Sequence, residues 1–191
     1  MSLERQVLIV DDDAAVRDAI SLWLQCNGYS TRCFEHAEDF ISQHHMTMQG
    51  CIIADIRMPG MNGLELQSHL NQLGSHLPLV FITGHGTVPM AVEAMRFGAL
   101  DYLRKPIDEQ QLLQTVKQAF AIDQTHALQA QQLASLTKRE RQVAALVVNG
   151  LANKVIAIDL GISERTVEVH RSNLMQKLGA TSLPQLVKMY L

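Results

Sequence analysis

Four short apolar runs in the sequence each end on a polar residue that could bind a cation or a phosphoryl group. The polar residues are Asp11, Asp12 and Asp13 after residues 7–10, Asp55 after 51–54, Thr83 after 79–82, and Lys105 after 101–104. If the runs are parallel strands, their carboxyl ends meet at one edge of a sheet, where open α/β sheets place their sites. Acids, a hydroxyl and an ammonium group at such an edge would bind a cation and accept phosphate.

Each of these residues also has a simpler interpretation. One acid of the Asp11-Asp12-Asp13 cluster would suffice to cap a helix, but three adjacent acids repel one another and favour a compensating cation such as Mg²⁺. Asp55 could initiate the turn that follows it, or it could act as a nucleophile that forms an acyl phosphate. In the second case Thr83 and Lys105 would bind the phosphoryl oxygens.

An Asp-nucleophile phosphohydrolase would use similar residues. Such enzymes have a second Asp two positions after the nucleophile, where it acts as a general acid. The residue two positions after Asp55 is Arg57, which neither delivers nor accepts a proton near neutral pH. The sequence therefore disfavours turnover of small phosphate esters, although slow hydrolysis of the chain's own acyl phosphate stays open.

The composition is that of an ordinary globular protein with two differently charged halves. The 191 residues are 47% hydrophobic and 18% charged, and no run approaches the length of a membrane span. The three cysteines show no disulfide or metal spacing, which suits a reducing cytoplasm, and Cys33 and Cys51 are predicted to be core residues of strands. Residues 1–121 carry 8 basic and 14 acidic residues, whereas residues 122–191 carry 8 and 5. This difference indicates different partners for the two halves.

The elements that must position the polar residues alternate between strand and helix. Strands are predicted at 6–10, 29–34, 51–55, 79–83 and 101–104, and helices at 14–27, 37–44, 63–73, 88–97 and 108–121. This alternation predicts an α/β fold with a doubly wound, five-stranded parallel sheet. Residues 122–135 lack Gly and Pro and are predicted to form a helical linker.

The last part of the chain, residues 136–191, has helical patterns only and predicts a small all-α domain of four helices. Thr137 with Glu140, Asn153 and Ser163 are predicted to cap the first three of these helices. A short helix, the turn at Gly161 and a longer helix at 164–178 are typical of a helix-turn-helix.

Residues 5–121 resemble the flavodoxin-like receiver domain of two-component response regulators. The resemblance rests on four segments: Val10-Asp11-Asp12-Asp13, residues 55–63 from Asp55 to Gly63, Thr83-Gly84-His85-Gly86, and Lys105-Pro106. Residues 88–95, from Val88 to Met95, are similar to the FixJ subgroup in particular.

The receiver resemblance implies a role for each polar residue. Asp55 would be the phosphoacceptor, Thr83 and Lys105 would bind the phosphoryl oxygens, and Lys105-Pro106 would be a cis peptide. Mg²⁺ would be held by Asp11, Asp12, Asp55 and the backbone carbonyl of Arg57. Tyr102 would be the switch aromatic, although plain strand packing also explains it. His85 would influence the rate of self-hydrolysis, or it is a surface loop residue.

Residues 136–191 resemble the helix-turn-helix of the LuxR/NarL/FixJ type. The resemblance rests on the segments 136–143, 153–157, 160–163 and 165–170. Helical spacing places Val167, His170, Arg171, Leu174 and Leu178 on the side that faces the domain core. The opposite side, which would face the major groove, carries Arg165, Glu168, Val169, Ser172 and Gln176. The candidate DNA-binding residues are Lys154, Arg165, Thr166, Glu168, Val169, His170, Arg171, Ser172 and Lys177. Glu168, Val169 and Ser172 would read bases, and the basic residues would contact phosphates.

Together the two resemblances imply a cytoplasmic transcriptional response regulator. A sensor histidine kinase would phosphorylate Asp55, and the chain would then form a homodimer and bind promoter DNA. The face around residues 88–104 or the last helix would pair the protomers, RNA polymerase is a further candidate partner, and no membrane partner is expected. Two alternatives are a constitutive DNA-binding protein whose receiver is only an interaction module, and the phosphohydrolase.

Overall fold

Short strands and helices alternate along the first part of the chain. The structure is a computed structural model, and it describes residues 5–84 and 87–190; the candidate His85 and its neighbour Gly86 lie outside the described residues. The alternating elements are β1 (Gln6–Val10), α1 (Ala14–Cys26), β2 (Ser30–Phe34), α2 (Ala37–Gln43), β3 (Gly50–Asp55), α3 (Gly63–Gln72), β4 (Leu79–Thr83), α4 (Val88–Arg96), β5 (Asp101–Arg104) and α5 (Glu109–Ala134). No helix in the described ranges combines the length and the apolar character that a membrane crossing requires.

The five strands form one parallel sheet in the order β2-β1-β3-β4-β5. This sheet, with helices on both faces, confirms the predicted doubly wound α/β fold. The register sets the strand ends level with one another, since Val10 pairs with Ala54 and Asp55 pairs with Ile82. Residues at the carboxyl ends of β1, β3, β4 and β5 therefore meet at one edge.

Two apolar layers cover the sheet. Strand β3 is central, and all six of its residues are buried, which explains its continuous apolar run. On one face the strands pack against α1 and α5, through residues such as Ile20, Leu24, Leu112 and Val116. On the other face they pack against α2, α3 and α4, through residues such as Phe40, Leu66 and Ala94.

The two strand cysteines differ in burial. Cys51 lies in β3 and is buried, as predicted, and burial raises the pKa of its thiol to about 12. The prediction for Cys33 was wrong, because this residue is exposed. Cys33 lies in β2, which is an edge strand with a single neighbour, and one side of an edge strand has less cover.

Helix α5 extends well beyond the last strand, through Ala134. The residues predicted as a helical linker, 122–135, are thus almost entirely part of α5. The chain divides into two compact units, residues 1–125 and 126–191, and the division falls inside this helix.

The second unit contains the four predicted helices α6 (Lys138–Val148), α7 (Asn153–Leu160), α8 (Glu164–Leu178) and α9 (Leu183–Tyr190). Thr137 and Glu140 form the predicted capping box, and Ser163 caps α8. The prediction that Asn153 caps α7 was wrong: the cap position is Ala152, and Asn153 is the first helical residue. The unit has its own apolar core, built around residues such as Val143, Ile156, Val167, Leu174 and Leu186.

Candidate functional site

Three carboxylates come together at the carboxyl edge of the sheet. One carboxylate oxygen each from Asp11, Asp12 and Asp55 lies within 4.8 Å of the others. Asp11 is fully buried and Asp55 is 7% exposed, whereas Asp12 is exposed. Carboxylate oxygens are the ligands that Mg²⁺ prefers, and Mg²⁺ keeps several waters, which the exposed side of the cluster allows. The chemistry of the donor set therefore fits Mg²⁺.

Lys105 supplies positive charge to these carboxylates. Its Nζ donates a hydrogen bond to Oδ2 of Asp11 at 2.7 Å and one to Oδ2 of Asp55 at 3.4 Å. Burial alone would lower the pKa of Lys105, but the hydrogen bonds and charges of Asp11 and Asp55 raise it above its usual value. The Lys105–Pro106 peptide bond is cis, as the resemblance implies. Lys105 is thus a charged group shared by two carboxylates.

Asp55 is held at the end of β3 by its own main chain. The N–H of Ile56 donates to Oδ1 of Asp55 at 2.8 Å. Burial raises the pKa of the Asp55 carboxyl, and the charge of Asp11 raises it further while Lys105 opposes the rise. At Gly63, a Cβ would lie 2.5 Å from the carbonyl oxygen of Asp55. Helix α3 can therefore begin this close to Asp55 only with a glycine.

Thr83 and Tyr102 occupy the adjacent strands β4 and β5. Thr83 ends β4 and is 1% exposed. Tyr102 is half-buried against the apolar layer of α2, α3 and α4. Its hydroxyl oxygen is buried and has no hydrogen-bond partner among the described residues. An unpaired buried hydroxyl costs free energy, so Tyr102 packs in its strand with its polar end unsatisfied.

The loop after β3 contains Arg57, whose side chain is exposed. Glu38 on α2 holds this loop, because its Oε1 accepts a hydrogen bond from the N–H of Met61 at 2.7 Å. Gly60 has a φ of 72°, and a Cβ there would lie 2.6 Å from the same carboxylate oxygen. The sequence did not single out Glu38, because its contact is 23 residues away. The local signals of a constrained loop were the pairs Pro59-Gly60 and Asn62-Gly63.

Arg17 is a second residue that the sequence did not single out. Its Nη1 donates to the main-chain oxygen of Asp11 at 2.6 Å. Arg17 lies on the first turn of α1, where its N–H donates to the carbonyl of the capping residue Asp13. Its spacing from the acid cluster, one helical turn, was the signal available in the sequence.

A cavity of about 380 Å³ opens beside Lys105. Its lining comes from α1 and from the segment after β5: Ala15, Val16, Ala19, Ile20, Trp23, Lys105, Pro106, Ile107, Glu109 and Leu112. Trp23, the one tryptophan of the chain, belongs to this lining together with Lys105. Most of the lining side chains are apolar, and the charged ones are Lys105 and Glu109.

In the second unit, α8 has the two faces that its spacing predicts. Val167, Leu174 and Leu178 are buried. The exposed face presents Arg165, Glu168, Val169, Ser172 and Gln176. This face therefore carries an acceptor, a donor, an apolar group and a cation, which are the groups that read base edges and phosphates in a major groove.

Other candidate DNA-binding residues make contacts inside the unit. Lys177 Nζ donates to Oε2 of the buried Glu140 at 2.7 Å, and Arg171 Nη1 donates to Oδ1 of Asn153 at 2.7 Å. The remaining three differ in exposure: Lys154 is exposed, and Thr166 and His170 are half-buried. Lys177 thus forms an ion pair with a buried acid, while its side chain stays 38% exposed.

Comparison with known proteins agrees with both units. Residues 7–117 match the family described as response regulator receiver domain, and residues 134–190 match bacterial regulatory proteins of the luxR family. The chain belongs to the response regulators. Its second unit is the DNA-binding helix-turn-helix domain of the luxR family.

Relatives match this response regulator over nearly its whole length. The transcriptional regulatory protein FixJ of Azorhizobium caulinodans is 44% identical, with 97% of this chain and 91% of the relative covered. The response regulator protein TodT of Pseudomonas putida is 41% identical over 95% of this chain and 83% of its own. Among solved structures, full-length FixJ from B. japonicum is 38% identical, covers 98% of this chain and 96% of its own, and gives a TM-score of 0.60. The response regulator StyR gives 0.62 at 42% identity, with 97% and 98% covered.

Proposed function

We propose that this transcriptional response regulator is switched by phosphorylation of Asp55, with the phosphoryl group supplied by a sensor histidine kinase. The proposal rests on one observation above all: Asp55 is a buried carboxylate that shares Lys105 with Asp11. In the transfer, a carboxylate oxygen of Asp55 attacks phosphorus, and the bond from phosphorus to the kinase's histidine nitrogen breaks. The product is an acyl phosphate on Asp55 and a free histidine on the kinase.

Each neighbouring residue has a role in this transfer. Asp11, Asp12, Asp55 and the backbone carbonyl of Arg57 would hold Mg²⁺, which when bound neutralises charge on the phosphoryl oxygens. Lys105 would leave Asp11 and bind one phosphoryl oxygen, while the hydroxyl of Thr83 would donate to another. The chain would act as a phosphoacceptor with at most slow self-dephosphorylation.

Tyr102 would report the movement of Thr83. The two residues lie on adjacent strands, since Phe81 pairs with Tyr102 and Thr83 pairs with Arg104. The hydroxyl of Tyr102 is buried and has no hydrogen-bond partner in the part of the chain that the structure describes. It therefore gives this side chain little polar stabilisation in its present position. A shift of Thr83 toward the phosphoryl group would change the packing of Tyr102 against α4.

Helix α4 supplies the surface that we propose for homodimer formation on phosphorylation. Val88, Val92, Met95 and Phe97, on α4 and just after it, are 78%, 52%, 47% and 59% exposed. Exposed apolar groups grouped on one element mark interaction surfaces. A symmetric pair would place two α8 helices on two half-sites of promoter DNA, as helix-turn-helix dimers do. The closing helix α9 is a second candidate contact, through Leu183, which is 41% exposed.

The second unit would bind promoter DNA in the cytoplasm, with RNA polymerase as a further partner. Functionally we divide the chain into a receiver at 1–121, a helical linker at 122–135 and the DNA-binding domain at 136–191. Glu168, Val169 and Ser172 would read bases, and Lys154, Arg165 and Arg171 would contact phosphates, with Thr166 and His170 at the edge of the contact. Lys177 is left out of this set because Glu140 already holds it.

DNA affinity with and without beryllofluoride tests the proposed function. The probe is a duplex enriched from a random pool by the full-length protein, and Mg²⁺ is present throughout. Beryllofluoride mimics the acyl phosphate, so we expect it to tighten binding of the wild-type chain and to leave the Asp55→Asn variant unchanged. Equal affinity in both states would contradict the switch and would support a constitutive DNA-binding protein. A response that persists in Asp55→Asn would contradict the assignment of Asp55.

A further inference from the structure

All four polar atoms of Asp11 are engaged. Its N–H donates to the carbonyl of Phe34 at 3.3 Å, and its Oδ1 accepts from the N–H of Asp13 at 2.9 Å. Its Oδ2 accepts from Lys105 at 2.7 Å, and its main-chain oxygen accepts from Arg17 at 2.6 Å. The bond from Arg17 is the shortest of the four.

Two cations therefore contact Asp11, and they contact it differently. Lys105 binds side-chain oxygens of Asp11 and Asp55, which are the oxygens that a divalent cation would take. Arg17 binds only the main-chain oxygen of Asp11, so a cation at the carboxylates does not compete for it. The contact of Arg17 can persist while the contact of Lys105 changes.

Arg17 also joins three separate elements. It lies on α1, its guanidinium reaches the end of β1, and its Nη2 lies 3.9 Å from Oε2 of Glu35, which follows β2. The side chain of Arg17 is only 13% exposed, whereas that of Glu35 is 60% exposed. A planar guanidinium can donate to the Asp11 carbonyl and stay at ion-pair distance from Glu35, a fixed geometry that a lysine ammonium reproduces less well.

We propose that Arg17 is a positioning residue for the cation site. It fixes the main chain at Asp11 and thereby the turn that presents the carboxylates of Asp11 and Asp12. This inference rests on the proposed function, in which those carboxylates hold Mg²⁺. Outer groups that orient metal ligands commonly change metal affinity by about 10- to 100-fold when they are removed.

The direction in which Mg²⁺ affinity changes on substitution of Arg17 distinguishes a positioning role from a purely electrostatic one. Arg17 is a cation beside a cation site, so if charge were its only influence, its removal would tighten Mg²⁺ binding. A lysine in its place would then change nothing. If Arg17 positions Asp11, both substitutions loosen Mg²⁺ binding, because neither keeps the guanidinium fork.

Calorimetric titration of the full-length chain with Mg²⁺ tests the inference, using the wild type, Arg17→Met and Arg17→Lys. We expect both variants to bind Mg²⁺ about tenfold more weakly than the wild type. Lys117→Met is the matched control, because it removes one positive charge from an exposed position on α5, and we expect it to keep the wild-type affinity. Thermal unfolding without Mg²⁺ gives the highest temperature at which every variant is still folded. The titrations are run below that temperature.

The outcomes are distinct. Tighter binding in Arg17→Met, or wild-type affinity in Arg17→Lys, would overturn the positioning role. A wild-type chain that neither binds Mg²⁺ nor takes a phosphoryl group from acetyl phosphate would overturn the proposed function instead. A wild type that does both, with variants of unchanged affinity, would leave the function standing and overturn this inference alone.

Discussion

The site at the sheet edge and the exposed face of α8 use charged residues in opposite ways. At the sheet edge Asp11 and Asp55 are buried, and Lys105 contacts both of them. On α8 the candidate base-reading groups Glu168 and Ser172 are exposed. A new ligand at the sheet edge must therefore break and replace existing contacts of Lys105, and such a rearrangement suits a switch. The exposed face of α8 leaves groups ready for a partner, which suits recognition.

The contrast also holds within the second unit. Lys154 and Lys177 are both exposed lysines of the helix-turn-helix, but only Lys177 is bound to a buried acid, Glu140. The buried acid therefore distinguishes Lys177 from Lys154, the lysine that we propose for DNA contact. Substitutions on the two sides of this contrast should have measurably different effects.

The largest effect is expected at Lys105. The Lys105→Met change leaves Asp11 and Asp55 buried without a compensating cation, and breaking such a pair costs about 3 kcal/mol. Saturating Mg²⁺ should restore most of the lost stability, because it replaces the missing charge. Chemical denaturation of the full chain at pH 7, with and without Mg²⁺, measures both effects.

Lys117→Met is the control for Lys105, because Lys117 is exposed on α5. Its stability should match that of the wild type. The double variant Lys105→Met with Asp55→Asn should regain part of the loss, because one buried charge is then gone. No loss in Lys105→Met would show that the carboxylates do not depend on this cation.

Glu140 comes next. Its hydrogen bond with Lys177, together with the bonds to Thr137, lowers the pKa of Glu140 below its usual value despite burial. A group with a lowered pKa in the folded state stabilises the fold above the usual glutamate pKa, and this contribution is lost as the pH falls through the folded-state pKa. We expect Glu140→Gln to destabilise the second unit by about 2 kcal/mol at pH 7.

Thermal unfolding of the wild type and Glu140→Gln from pH 7 down to about pH 3 measures this contribution, since glutamate normally titrates near pH 4. The difference between the two proteins should shrink as the pH falls. Glu164→Gln, at the exposed start of α8, is the control. A difference that is constant with pH would mean that the charge of Glu140 contributes nothing.

The contrast between the two lysines can be measured on DNA. Lys154→Gln should weaken binding to all DNA sequences. It should also reduce the slope of log affinity against log salt concentration by about one, as the loss of a phosphate contact does. Lys177→Gln should lower the stability of the second unit and leave this slope unchanged. Fluorescence anisotropy over a range of salt concentrations gives both slopes. Equal reductions in the two variants would return Lys177 to the set of DNA contacts.

The smallest effect is expected at Tyr102. The Tyr102→Phe change removes a buried hydroxyl without a hydrogen-bond partner among the described residues, so stability should stay equal or rise by up to about 1 kcal/mol. Denaturation of the wild type and Tyr102→Phe, both unphosphorylated, gives the difference. A clear loss of stability would mean that the hydroxyl has a partner after all, such as ordered water.

Local signals in the sequence predicted the sheet edge well. An apolar run followed by a polar residue marks the end of a buried strand, and the order of strands brings those ends together. The sequence alone therefore placed Asp11, Asp55, Thr83 and Lys105 at one edge of the sheet. The same apolar runs predicted the buried strands, and β3 agrees with this prediction because it is buried along its whole length.

Contacts between distant residues could not be predicted in this way. A capping rule considers only the residues next to a helix start, so it missed that Asn153 accepts from Arg171, which lies 18 residues away. Helical spacing shows which side of α8 Lys177 occupies but not that Glu140, 37 residues earlier, binds it. Edge position in the sheet, which decides the exposure of Cys33, depends on strand order rather than on the strand's own residues.

Trp23 gives the protein an optical probe of its own. This tryptophan shares the lining of one cavity with Lys105, and the chain has no other indole. A shift of the lysine from carboxylate to phosphoryl oxygen would change the electric field at that indole, and its emission would change colour or intensity. The phosphorylation state of the unlabelled, full-length protein could then be followed in real time in a cuvette.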